Sequence, residues 1–98
     1  MNILESTKSK LSSHLQDLQK RYPVARLGLF GSIVRDDFDP ERSDIDILVE
    51  LNDEMNWDYF DLVWELEGLF PGRKVDVVSR EAIQPHYWKF VEEDLQYV

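Results

Sequence analysis

The chain has 98 residues, 43% of them hydrophobic and 12% aromatic, which is enough for one apolar core and argues against disorder. Its formal net charge of −9 and its lack of cysteine argue against binding to phosphate backbones, against disulfides and against a thiolate metal site. Neither a secretion signal nor an apolar run of about 18 to 20 residues is present. We therefore expect one cytoplasmic domain, residues 1–98, without a membrane or direct nucleic-acid partner.

Hydrophobic periodicity predicts the order helix, strand, short helix, strand, helix, strand, helix. The expected ranges are, in that order, residues 4–22, 24–30, 32–36, 44–51, 57–70, 74–79 and 81–98, with the last helix starting near Pro85. Turns are expected over residues 37–43 and 52–56. One side of the third helix is expected to carry Trp57, Phe60, Val63, Trp64 and Leu66. This pattern is typical of an α/β (α+β) domain with a small sheet flanked by helices.

Gly31 and Ser32 stand where the first predicted strand turns into the short helix. A glycine at such a turn lets backbone amides approach a phosphate closely, and the first helical turn presents unpaired N–H groups. The Ser32 hydroxyl can add a donor, or it can cap the helix. A Gly-Ser pair after a strand is more often a turn with a helix cap, so both interpretations stay open at this point.

Asp44 and Asp46 lie two residues apart on the second predicted strand. Residues at this spacing are about 6.5 to 7 Å apart and point to the same face, so both carboxylates can reach shared cations. Without a cation, such neighbours repel each other and the pKa of one of them rises. The alternative is a solvent-facing strand surface in the acidic part of the chain.

Asp76 lies in the middle of the apolar third strand, where an unpaired aspartate is costly unless it is exposed. If the third strand neighbours the second, Asp76 joins the face of Asp44 and Asp46. Three carboxylates suit two Mg²⁺ or Mn²⁺ ions and phosphoryl-type transfer. In that hypothesis Asp44 and Asp46 bridge the metals, and Asp76 holds the ion that activates the attacking hydroxyl.

Other nucleotide and metal motifs are absent. There is no P-loop and no dinucleotide-binding glycine fingerprint. A calcium loop starting near Asp37 is excluded because Arg42 and Leu48 occupy the positions that require glycine and glutamate. His14 and His86 have no ligand spacing.

The motifs together resemble one family. Gly31-Ser32, then Arg35, then the Ser43–Val49 stretch SDIDILV, then the Val75–Val78 stretch VDVV are similar to the minimal nucleotidyltransferases of the DNA polymerase beta superfamily. The resemblance covers nearly the whole chain and implies a small mixed sheet flanked by helices. One difference is Asp36, which stands where a glycine usually follows the arginine.

The resemblance implies roles for the matching residues. Gly31 and Ser32 would contact ATP, with Arg35 as a phosphate or structural contact and Ser43 as a further nucleotide-binding position. Asp44, Asp46 and Asp76 would form the catalytic, metal-binding triad for two Mg²⁺ or Mn²⁺ ions.

The resemblance also implies a partner. Related proteins are commonly paired with a HEPN-domain toxin and act as its antitoxin, some by transferring AMP from ATP to a tyrosine of the toxin. A chain of 98 residues has little room to bind an acceptor alone, and a segment with Tyr87, Trp88 and Tyr97 is a candidate docking surface. For Trp88, packing on its own sheet is the alternative. The alternatives for the whole chain are an antitoxin that acts by contact alone and an acidic domain without a ligand.

Overall fold

The computed structural model describes residues 2–52 and 57–98. The helices are α1 (Ile3–Arg21), α2 (Ser32–Arg35), α3 (Tyr59–Gly68) and α4 (Pro85–Asp94), and the strands are β1 (Val24–Phe30), β2 (Ile45–Leu51), β3 (Val75–Ser79) and β4 (Gln96–Tyr97). One turn of 3₁₀ helix, Arg80–Ala82, joins β3 to α4. The predicted order is confirmed up to α4, and of the turn predicted at 52–56, residues 53–56 lie outside the described part.

The ends of α1 follow from its sequence. The Asn2 side chain accepts a hydrogen bond of 2.8 Å from the backbone N–H of Glu5 and so caps the first turn. Leu11 and Leu18, seven residues apart, are buried on one side of the helix. Pro23 follows the last turn, and the chain then enters β1.

The sheet is mixed and has the strand order β3-β2-β1-β4. β1 pairs with β2 and with β4 in antiparallel fashion, whereas β2 and β3 run parallel. The parallel pair needs a crossover connection, and α3 lies in that connection. The predicted α/β class with a small mixed sheet flanked by helices is confirmed.

One face of the sheet forms the core with α1 and α3. Ile45, Ile47 and Val49 of β2 are fully buried there, together with Leu62 and Leu66 of α3. The other face of β2, which we call the second face, carries Asp46, Leu48 and Glu50 by strand alternation.

The buried side of α3 differs from the prediction. Phe60 and Trp64, expected on the packed side, are each 77% exposed. Leu66, which belongs to the expected set, is buried, and so is Leu62, one helical turn before it, which does not belong to that set. The expectation was wrong for Phe60 and Trp64, because periodicity alone does not say which of two neighbouring apolar sides of a helix meets the sheet.

The predicted last helix is too long. It ends at Asp94, and the chain then forms β4, which pairs with Gly28 and Leu29 at the edge of the sheet. A Cβ atom on Gly28 would lie 2.7 Å from Cδ1 of Leu95, so the glycine leaves the space in which the chain reverses. Among the described residues, no helix is both long enough and apolar enough to cross a membrane.

Candidate active site

A row of three residues crosses the second face where β2 and β3 begin and β1 ends. Strand pairing sets Phe30 opposite Asp46, and Asp46 opposite Asp76. Neighbouring strands are about 4.8 Å apart, and residues in register point to the same face. The two carboxylates are therefore direct neighbours, and the condition that the sequence left open, that the third strand lies beside the second, is met.

Gly31 begins the turn after β1, and this turn packs against the Asp46 carboxylate on the side away from β3. Its φ of +80° is a conformation that a residue with a side chain rarely adopts, and a Cβ atom there would collide with the Asp46 carboxylate. The Gly31 carbonyl accepts hydrogen bonds from the amides of Val34 and Arg35, at 3.0 and 3.1 Å. Gly31 is thus the cap residue of α2, and Ser32 is its first helical residue and not its cap.

The carboxylates of the second face influence one another. Burial, together with the negative charges of Asp76 and Asp44, raises the pKa of Asp46 to about 6, while the positive charge of Arg35 opposes them. Asp44 is exposed. It was predicted to begin the second strand, but β2 begins one residue later, at Ile45. The three predicted aspartates are therefore brought to one end of the sheet.

The donor atoms of Asp44, Asp46 and Asp76 are of a kind that suits a metal ion. The three side chains offer only carboxylate oxygens, the ligands preferred by Mg²⁺ and Mn²⁺. In the arrangement seen over residues 2–52 and 57–98, no three acidic or histidine side chains converge closely enough to hold an ion. The negative charges of Asp76 and Asp44 both act on Asp46, so a cation at this position would reduce their repulsion.

Arg35 links α2 to α4. Its Nη1 lies 2.9 Å from Oδ2 of Asp94, and its Nε lies 3.7 Å from Oδ1 of Asp37. The hydrogen bond to Asp94 raises the pKa of the guanidinium above its ordinary value. The Arg35 side chain is half exposed, so this contact between two helices is open to competition from solvent and from a ligand.

Ser43 and Asp36 shape the loop that leads to Asp44. The Ser43 hydroxyl accepts a hydrogen bond of 2.9 Å from the Asp39 amide, and the Ser43 amide donates one of 2.8 Å to the Asp39 carbonyl. Asp36 has φ +75° and ψ +13°, a left-handed conformation that glycine adopts freely and aspartate tolerates. The structure thus gives a physical reason why a glycine would suit this position.

An open recess of about 380 Å³ adjoins the row. It lies between the second face and α4 and is lined by Phe30, Asp76, Val78, Ala82, Ile83, Gln84, Tyr87 and Val91. We call it the α4 recess. Sequence reasoning missed it, although the alternation that puts Val78 on the face of Asp76 was a signal for an apolar surface there.

Tyr59, at the start of α3, is a further residue that sequence reasoning did not select. Burial raises the pKa of its hydroxyl, and the negative charges of Asp76 and Glu81 add to the shift. The Tyr59 hydroxyl is therefore close enough to Asp76 for the charge of that carboxylate to affect its pKa.

Comparisons with known proteins agree with this fold. Residues 11–98 match the family model of the nucleotidyltransferase domain. The "Putative protein adenylyltransferase MJ1379" of Methanocaldococcus jannaschii is 40% identical, and the match covers 100% of both chains. "Protein adenylyltransferase MntA" of Thermococcus cleftensis is 34% identical over 100% of this chain and 98% of its own.

A solved structure described as "Structure of putative minimal nucleotidyltransferase" superposes with a TM-score of 0.70 at 29% identity, covering 95% of this chain and 93% of that one. The fold is therefore that of a minimal nucleotidyltransferase. The chain belongs to the nucleotidyltransferase domain family, as its sequence motifs predicted, and it is an enzyme that takes a nucleotide as substrate.

Proposed function

We propose that this nucleotidyltransferase transfers AMP from ATP to a tyrosine hydroxyl of a partner protein. The observation that carries the proposal is the pairing of Asp46 with Asp76 across β2 and β3, with the Asp46 carboxylate against Gly31. Relatives that match over their full length are named as protein adenylyltransferases, which supports AMP as the group transferred and a protein as the acceptor.

The proposed metal ligands are Asp44, Asp46 and Asp76, which would hold two Mg²⁺ or Mn²⁺ ions. When bound, such ions neutralise phosphate charge and lower the pKa of an attacking hydroxyl. Asp46 feels the negative charges of both Asp76 and Asp44, and a bound cation would offset them. Asp76, at the α4 recess, is the ligand nearest to space for an acceptor.

Gly31 and Ser32 are proposed to bind the phosphates of ATP. The glycine lets the Asp46 carboxylate pack directly against the turn, so a phosphate bound to the backbone of this turn would lie beside the proposed metal ligands. Arg35 supplies a positive charge on the same turn, and Ser43 positions the loop before Asp44. In the transfer, the acceptor oxygen bonds to the α-phosphorus, the bond to pyrophosphate breaks, and the hydroxyl proton goes to solvent.

The partner is proposed to be a HEPN-domain toxin that the enzyme inactivates, which makes the chain an antitoxin. A second candidate function is an antitoxin that neutralises its partner by contact without transfer. Phe60 and Trp64, four residues apart on α3 and each 77% exposed, offer apolar surface for such a contact.

ATP binding tests the proposed site first. Calorimetry with Mg²⁺ should show ATP binding in the wild type and its loss in Asp44→Ala and Asp46→Ala. Glu67→Ala is the matched control, because it removes an exposed carboxylate from α3, away from the row, and should bind ATP like the wild type. Equal affinity in the wild type and in both aspartate variants would reject the site.

The acceptor is tested with the candidate toxin. After incubation with ATP and Mg²⁺, mass spectrometry should find one AMP on a tyrosine of the toxin, and not with Asp46→Ala. Inhibition of the toxin by Asp46→Ala without any adduct would instead support neutralisation by contact.

A further inference from the structure

The α4 recess has the position of an acceptor site. Asp76 and Phe30 belong to both the recess and the row of the second face, so the recess opens directly beside the carboxylates. Gly31 contacts Asp46 within that row, at the turn after β1. A ligand in the recess and a phosphate at Gly31 would therefore meet at the carboxylates.

The lining of the recess favours a phenol ring. Val78, Ile83 and Val91 supply aliphatic walls, Phe30 and Tyr87 supply rings, and the polar side chains are those of Asp76, Gln84 and the Tyr87 hydroxyl. A tyrosine side chain is an apolar ring with one polar atom at its end, and that atom can be placed at Asp76.

An adenine ring fits this lining less well. It carries donors and acceptors along several edges, and each would lose its water without a protein partner on the aliphatic walls. A serine or threonine acceptor is too short to fill the walls. The volume of about 380 Å³ is within the range of roughly 300 to 1,000 Å³ for sites that bind small molecules.

The rim of the recess is held in place and open to the outside. α4 buries none of its residues, and Tyr87 at the rim is 58% exposed. The helix is tethered at both ends, by the Arg80 guanidinium 3.7 Å from the Trp88 ring centre and by the ion pair of Asp94 with Arg35. A segment of another protein can therefore insert one side chain beneath a fixed helix.

We infer that the α4 recess binds the tyrosine side chain of the acceptor, with its hydroxyl at Asp76. This inference rests on the proposed transfer to tyrosine and adds the place where the acceptor binds. It also gives α4 a role in acceptor specificity, because Tyr87 and Val91 favour the aromatic side chain of tyrosine over the short side chains of serine and threonine.

The test uses N-acetyl-L-tyrosinamide as the probe and follows backbone amides by NMR. The probe should shift the amides of Val78, Tyr87 and Val91. Val91→Phe, which fills the recess, and Tyr87→Ala, which removes a wall, should each raise the apparent Kd at least about fivefold, the loss expected for roughly 1 kcal/mol of ring contact.

Phe90→Ala is the matched control. Phe90 lies on the same helix with 59% exposure, almost equal to that of Tyr87, but does not line the recess. It should leave probe binding unchanged, and all three variants should bind ATP and Mg²⁺ like the wild type.

The outcomes separate the inference from the proposed function. A loss of ATP affinity in Val91→Phe would overturn the inference and assign the recess to the base of the nucleotide. Probe shifts that the two variants do not weaken would also overturn it. If the wild-type protein does not bind ATP but binds the probe, and Val91→Phe blocks that binding, the inference about the recess is supported. The proposed transfer of AMP is then rejected.

Discussion

Asp46 of β2 and Asp76 of β3 are direct partners in the parallel pairing of the two strands. Two carboxylates side by side on a partly buried face are unfavourable, and the pKa of Asp46 is raised first by burial and then by the negative charges of Asp76 and Asp44. Their position beside Gly31 gives the arrangement a use, because a bound cation and phosphates would replace repulsion with attraction. The site is thus best understood as two halves from distant parts of the chain, joined by strand pairing.

Gly31→Ala should abolish ATP binding. The new Cβ would collide with the Asp46 carboxylate, and a backbone at φ +80° and ψ −150°, a region occupied almost only by glycine, would add strain of about 1 to 3 kcal/mol. Calorimetry with ATP and Mg²⁺ measures the loss. Gly72→Ala is the matched control, because Gly72 also has φ +80° but has no heavy atom within 4 Å of an added Cβ. It should lower stability through backbone strain and leave ATP affinity unchanged. A similar loss of affinity in both variants would contradict the role of Gly31.

Asp94→Asn should tighten ATP binding about two- to fivefold at low salt, because it weakens the 2.9 Å contact to Arg35 and frees the guanidinium for phosphate. Asp37→Asn, whose contact to Arg35 is longer at 3.7 Å, should have a smaller effect. The gain should vanish when Asp94→Asn is combined with Arg35→Ala. A gain that persists in the double variant would show that Arg35 is not the cause.

Asp36→Gly should stabilise the protein by about 0.5 to 1 kcal/mol, because the residue has φ +75° and glycine adopts this conformation without strain. Asp36→Ala should be less stable than Asp36→Gly, since alanine pays the full cost of the left-handed backbone. Urea unfolding measures both. A glycine variant less stable than the alanine variant would contradict the assigned conformation.

Glu65 should contribute stability that depends on pH. Its pKa is lowered by hydrogen bonds from Arg21, at 2.6 Å, and from Tyr22. A carboxylate with a lowered pKa stabilises the fold above its ordinary pKa of 4.5 and loses this effect as the pH falls through the folded-state value. Glu65→Gln should therefore lower Tm at pH 7 by several degrees, for a loss of about 1 kcal/mol.

At pH 3, the Tm of Glu65→Gln should approach that of the wild type. Glu67→Gln, on the same helix and exposed, should change Tm little at either pH. A difference between wild type and Glu65→Gln that is the same at pH 3 and pH 7 would contradict the ionic role.

Much of the site could be predicted from sequence because strand alternation fixes which residues share a face. That rule alone relates Asp44 to Asp46, whereas the position of β3 beside β2, which brings Asp76 to them, could only be assumed from the sequence. The α4 recess and β4 could not be predicted, because they depend on how the chain reverses at Leu95 over Gly28, a contact between distant residues. The exposure of Phe60 and Trp64 was missed because periodicity alone does not say which of two apolar sides of a helix meets the sheet.

The most direct test of the carboxylate pair is calorimetric titration of ATP, with and without Mg²⁺, into the wild type and Asp76→Asn. The substitution keeps the size of the side chain and removes one charge from the pair with Asp46. We predict that Mg²⁺ strengthens ATP binding in the wild type and does so at least about tenfold less in Asp76→Asn, a difference of about 1.4 kcal/mol. An equal effect of Mg²⁺ in both proteins would contradict a metal and nucleotide site shared by β2 and β3.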